Sequence, residues 1–226
     1  MAMNTNLKRV WAAWLTASVL LSLYYALWVV ATEPSKVTIV LQPHSNIHFE
    51  VTSLWGHSES FEMWFRRNPL DHREDALGRY RTLNGHPGEL IFPNPGKHIS
   101  ATVSINGGPA VELETMPASG YTETEIRREL TTNRSIAEGA WNWPAPGAPR
   151  IRAVPGKNDI SFTIADVDPS LTGERVTLIA LPPLSFKSGQ EHYAWLWYAW
   201  FLCPAGGLVL GIIGLIQLWK TLRAWR

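Results

Sequence analysis

The sequence predicts a membrane protein: two transmembrane α-helices flanking a mainly β, antiparallel, sandwich-like domain. Three observations predict it. Residues 10–31 (VWAAWLTASVLLSLYYALWVVA) and 193–218 (YAWLWYAWFLCPAGGLVLGIIGLIQL) carry no charged side chain. Between them the period changes from helical to short alternating apolar runs, punctuated by Pro and Gly. Charge is also partitioned, because all 19 acidic residues fall between the two apolar runs.

The runs are 22 and 26 residues long, and crossing a hydrocarbon core of about 30 Å takes about 20 apolar helical residues. Lys8 and Arg9 before the first run and Ala31 at its end resemble a cleaved signal sequence. Its length and its Trp11, Trp14 and Trp28 exceed an ordinary signal core of about 7–15 residues, so it reads as an uncleaved anchor.

Basic residues fix the expected orientation. Lys8 and Arg9 precede the first span, and Lys220, Arg223 and Arg226 follow the second. Of the 20 basic residues, 15 remain between the spans beside 19 acidic ones, a balance of 15 − 19 = −4. Purely basic tails stay in the cytoplasm. Residues 1–9 and 219–226 are thus expected inside, and residues 32–192 outside, a bacterial-type inner membrane. Trp11, Trp14, Trp219 and Trp225 mark the inner interface. Tyr24, Tyr25, Trp28, Tyr193, Trp195, Trp197, Tyr198 and Trp200 mark the outer one, since amphipathic rings prefer the headgroup level.

The central domain reads as strands. Residues 36–41 are β-branched and short. Ile47, Phe49 and Val51 alternate with His48, Glu50 and Thr52; Ile99, Ala101, Val103 and Ile105 alternate with Ser100, Thr102 and Ser104. Asn106-Gly107 then turns the chain into residues 110–113, a hairpin signal. Residues 160–164 and 176–181 give two more strands around a polar turn. Residues 122–130 fit a strand better than a helix, although Thr122 and Glu125 have capping-box spacing. Residues 142–150 hold three prolines and a glycine and form a loop within one domain. No cysteine lies in this domain, so no disulfide staples it. Asn133-Arg134-Ser135 fits a glycosylation sequon, a short pattern that arises by chance.

Candidate chemistry is sparse. His44, His48 and His57 crowd into fourteen residues, HSNIHFEVTSLWGH, and form the densest set of metal-ligand types. On a strand His48 shares a solvated face with Glu50 and Thr52, and about 30 Å of extended chain separates it from His57. The stretch therefore reads as scaffold. Asp166-Val167-Asp168-Pro169-Ser170 begins like a calcium loop, but Leu171 and Thr177 occupy the positions that need Gly and Glu. No Gly-x-Ser-x-Gly nucleophile frame occurs; Ser119-Gly120 and Ser188-Gly189 lack it. Asp71, Glu74 and Asp75 lie in a run of mixed charge. Trp55, Trp141 and Trp143 are candidates for a stacking surface, with burial the commoner role for such rings. The negative domain argues against nucleic acid.

The spans carry the more specific signal. Cys203, Gly207, Gly211 and Gly214 recur at i, i+4, i+8 and i+11, and Ser18, Ser22 and Ala26 at strict four-residue steps. Small residues let helix backbones approach, which drives association in lipid. These faces are expected to pack on each other or on a partner's helix. Pro204, followed by Gly206 and Gly207, should kink the second span. Neither span has an ionisable group suited to an ion path.

The functional expectation is a non-enzymatic interaction or accessory protein, a subunit or partner of a membrane complex, with no cofactor or metal. Its expected partners are the bilayer and a membrane protein or second copy met through the spans. Other classes left open are a toxin-blocking membrane protein, and a metal- or glycan-binding module or enzyme using the histidines or Trp141 and Trp143.

Overall fold

The computed structural model describes residues 5–67, 73–82, 90–132, 150–185 and 190–224. In chain order they form α1 (Thr5–Thr32), β1 (Ser35–Val40), β2 (Asn46–Ser53), β3 (His57–Ser58), β4 (Phe61–Arg66) and α2 (Glu74–Leu77). Then come β5 (Arg79–Thr82), β6 (Leu90–Asn94), β7 (Ile99–Ile105), β8 (Val111–Tyr121), β9 (Glu125–Thr131) and β10 (Arg152–Ala153). The chain ends with β11 (Gly156–Val167), β12 (Arg175–Ala180), a 3₁₀ segment (Glu191–Tyr198) and α3 (Ala199–Ala224). Asp71, Trp141, Trp143, the sequon at Asn133 and Ser188-Gly189 fall outside the described residues.

Helix α1 and the joined 3₁₀–α3 segment are long and apolar enough to cross a membrane. The second begins as a 3₁₀ segment and becomes α-helical only at Ala199, one turn before Pro204. Pro204 lies inside α3, where it has no N–H to give the carbonyl of Trp200 and its ring crowds that carbonyl.

Eight strands form one sheet in the order β1-β12-β4-β9-β8-β7-β11-β2, with every neighbouring pair antiparallel. The first and last members of that order, β1 and β2, are consecutive in the chain, and the sheet curls until it nearly closes. The two-layer sandwich expected from the alternation is thus a single curled sheet around one core. Alternation does not separate the two cases, because both bury every second residue. Ile39, Phe61, Met63, Phe65, Val103, Ile126, Phe162 and Leu178 fill that core.

Local chemistry accounts for the turns. Asn106 and Gly107 both have positive φ, 52° and 69°, and Gly108 N donates to Ile105 O at 2.9 Å. A tight turn with two positive φ values matches the right-handed twist of its strands and favours Asn-Gly. Residues 160–164 and 176–180 both become strands but never pair. β11 lies between β7 and β2, and β12 between β1 and β4. The turn between them is held locally, with Asp168 Oδ1 accepting from Ser170 N at 3.0 Å and Ser170 Oγ at 2.6 Å.

Candidate functional site

The helices meet along a seam. On α1, Trp11, Trp14, Ser18, Leu21 and Tyr24 are partly covered; on α3, Cys203, Gly206, Leu210, Gly214, Gln217 and Thr221 are. Steps of three and four residues keep one face toward a neighbouring helix, as in a coiled coil. Three polar tips close the seam. Trp11 Nε1 donates to Thr221 Oγ1 at 3.1 Å, Trp14 Nε1 to Leu210 O at 2.7 Å, and Tyr24 OH to Trp195 O at 2.8 Å. A Cβ on Gly214 would lie 3.0 Å from the Trp14 ring, and one on Gly206 3.2 Å from Leu21.

This seam divides the small residues singled out in the sequence. Ser18, Cys203 and Gly214 lie on it, whereas Ser22, Ala26, Gly207 and Gly211 lie outside it. Nothing comes within 4 Å of a Cβ built on Gly207 or Gly211. The reason is angular. Each step of four residues advances about 40° around a helix, so Gly211 sits about 80° from Cys203. Gly206, which does pack, was not among the residues expected to do so.

Where the sheet meets the helices there is a second, smaller core of Ala31, Leu184, Tyr193 and Leu196, with Tyr24, Leu27, Trp28 and Leu54 against it. Leu184 N donates to Ala31 O at 2.9 Å, tying the end of the domain to the end of α1. Tyr193, fully buried, binds Trp55 twice. Its hydroxyl accepts from Trp55 N at 2.7 Å and donates to Trp55 O at 2.7 Å. The Trp55 ring also meets Tyr193 and Trp195 at centroid distances of 5.1 and 6.0 Å, and Trp195 stacks on Tyr24 at 5.4 Å. Gln190 Nε2 donates to Ser58 O at 3.3 Å, and Ser185 Oγ donates to Gln190 Oε1 at 3.0 Å.

Behind Tyr193 lies an ion pair. His57 Nε2 is 2.7 Å from Glu59 Oε2, and both side chains are 0% exposed. His57 Nδ1 lies 3.2 Å from Trp55 O, and the Tyr193 ring meets the imidazole edge-on at 5.6 Å. Glu59 Oε2 lies against Nε2 without hydrogen-bond alignment, so their contact is one of charge, while Nδ1 faces the Trp55 carbonyl. Burial works against the imidazolium, but the Glu59 carboxylate and the Trp55 carbonyl outweigh it and hold His57 above its ordinary value. Burial also pushes the Glu59 carboxyl up, and His57 offsets only part of that.

Arg128 is a further buried charge, on the core side of β9 at 1% exposure. The β8 ladder breaks register between Thr115 and Ala118. At this bulge Arg128 Nε donates to Met116 O at 2.7 Å and Nη2 to Thr115 O at 3.5 Å. Nη1 reaches Lys97 O at 2.7 Å and Nη2 reaches Pro95 O at 3.4 Å. Burial lowers its pKa to about 10, so it remains protonated at neutral pH. Its role is to fasten the β6–β7 loop to the bulge.

The three histidines weighed as ligands do not come together. His44 sits in an exposed turn with φ 64°, His48 is exposed on β2 opposite Ser161, and His57 is inside the junction. Among the described residues no three His, Cys, Asp or Glu side chains are grouped to hold a metal. Sequence reasoning missed Glu59, Tyr193 and Arg128 as partners. The one local signal was the His57-x-Glu59 spacing, which puts two polar side chains on one face of an extended chain.

No family model matches the chain, and no curated protein matches it in sequence. Among solved structures it is similar to a protein from Sulfurospirillum deleyianum, with 13% identity and a TM-score of 0.44, covering 67% of this chain and 98% of that one. It is also similar to Xyl-CBM35 in complex with a glucuronic acid-containing disaccharide, with 9% identity and a TM-score of 0.29, covering 62% and 67%. CBM35 from Cellvibrio japonicus Abf62 has 9% identity and a TM-score of 0.28, with the same coverage. Likeness this distant transfers neither fold nor ligand to the chain.

Proposed function

We propose that this chain is a non-enzymatic, membrane-anchored accessory protein, a subunit or partner of a membrane complex. In this reading α1 and α3 span a bacterial-type inner membrane with both termini in the cytoplasm, and the curled sheet stands outside. The basic tails and the acidic balance between the spans support that orientation.

One observation carries the partner role. The helix pair satisfies itself through Trp14, Leu21, Gly206 and Gly214, and this leaves Gly207-x-x-x-Gly211 turned away with open space above it. In lipid, small residues four apart are where a further helix approaches closely. The double tie of Tyr193 to Trp55 supports a second feature, a domain held in one pose above that helix face.

The test is purification of the intact protein in mild detergent, beside Gly207→Leu/Gly211→Leu. The expected result is one membrane protein, or a second copy, at fixed stoichiometry with the wild type and lost with the double variant. A monomeric wild type that retains nothing would sink the reading.

A further inference from the structure

We propose that the membrane-side tip of the sheet, built from the turns around Trp55 and Val154, is itself a lipid-contacting surface seated at the headgroup–acyl boundary. This gives the chain a third membrane contact besides its two helices. The inference rests on the reading of α1 and α3 as spans.

Depth carries the argument. Tyr24 lies eight residues before the end of α1 at Thr32, about 12 Å back along the helix axis. Trp195 stacks on Tyr24, and the Trp55 ring packs against Trp195 at 6.0 Å. The turn bearing Trp55 therefore packs beside the last turns of α1, with its neighbour Leu54 in one cluster with Ala31, Leu27, Trp28 and Tyr24. An apolar helix pair and a β turn at the same depth face the same solvent, and for the helices that solvent is lipid.

The second turn is held level with the first. β10 pairs with β3 through Ala153 and His57, and Gly156 pairs with Ser53. Asn158, fully buried, clamps the loop between them. Its Oδ1 accepts from Val154 N at 2.8 Å, and its Nδ2 donates to Val154 O at 2.8 Å. That clamp presents Val154 outward at 50% exposure next to Trp55 at 38%. Two exposed apolar side chains on adjoining rigid turns are well placed for a bilayer interface. Trp is the side chain best suited to that level, with an apolar body and one polar N–H. Exposed Arg152 on β10 and Arg150 just before it sit where long cationic side chains reach back to phosphates.

The experiment uses the full chain in phosphatidylcholine vesicles, with Cys203→Ala as background and one introduced cysteine carrying an environment-sensitive fluorophore. Val154→Cys reports the tip, Thr172→Cys the opposite end of the sheet, and Ile213→Cys the middle of α3. Lipids with spin labels at shallow or deep acyl positions serve as quenchers. The expected result is a blue-shifted probe at 154 that loses most of its emission to the shallow quencher and less to the deep one. The probe at 172 should keep its emission with both, and the probe at 213 should respond most to the deep quencher. If 213 is quenched and 154 behaves like 172, the tip does not touch lipid and the proposal is overturned while the spans stand. If 213 is not quenched, the span reading fails and this proposal fails with it.

Discussion

His57 Nε2 lies 2.7 Å from Glu59 Oε2, and neither side chain reaches solvent. The pair sits directly behind Tyr193, the residue that bonds the sheet to the root of the second apolar segment. Buried charges are retained only when paired, and removing one member leaves the other without compensation. The protonation of this pair is therefore tied to how firmly the domain is seated on its helices.

The pH dependence follows from the two shifts. Both groups have folded pKa values above their ordinary 6.5 and 4.5. The folded protein thus holds protons that the unfolded chain has released. Each contribution is fully present below the ordinary value and is lost as pH rises through the folded one. Thermal stability in detergent should fall as pH rises above 4.5, with His57 adding to the fall above 6.5, and amide protection at Trp55 should fall with it. His57→Gln should flatten the high-pH part of the profile. An identical profile in that variant would assign the effect to other groups.

Single and double replacements of the pair should differ in kind. His57→Leu alone strands a buried carboxyl and should cost about 3 kcal/mol, with Glu59→Met alone close behind. The double variant His57→Leu/Glu59→Met removes both charges at similar volume and should recover most of that loss. Denaturant unfolding of all four proteins checks this. Strictly additive losses would show that the ion pair is not the source.

Arg128 should be irreplaceable by any shorter or single-headed cation. Its fork serves the carbonyls of Met116, Thr115, Lys97 and Pro95 at once. Arg128→Leu leaves buried acceptors unpaired and should destabilise by about 3 kcal/mol. Arg128→Lys should restore little, because an ammonium cannot reach several carbonyls in one plane. Chemical denaturation measures both, and a fully stable lysine variant would contradict the clip.

The seam predicts opposite outcomes for glycines seven residues apart. Gly214→Val drives a side chain into the Trp14 ring, already 3.0 Å from the position of a Cβ, and should cost about 2 kcal/mol. Gly207→Leu points into open space and should change the stability of the isolated chain by less than about 0.5 kcal/mol. Melting curves in one detergent compare them. Equal losses would place both glycines on the same contact.

The sequence by itself determined the two long apolar helices, the antiparallel β character between them and the Asn106-Gly107 hairpin. Each depends on nearest-neighbour chemistry: an uninterrupted apolar run, a period of two, and a residue pair that accepts positive φ. His48, Glu50 and Thr52 fell on the solvated face of β2 for the same reason. Only the tertiary structure decided that one sheet nearly closes on itself, since barrel and sandwich share a period. It also decided which small residues pack, because four-residue steps drift around a helix while the contact follows steps of three and four. The junction was the least legible part. His57, Glu59, Trp55 and Tyr193 lie more than 130 residues apart in the chain at their extremes. Apart from the His57-x-Glu59 spacing, nothing local in any of them states that the fold will bring them together.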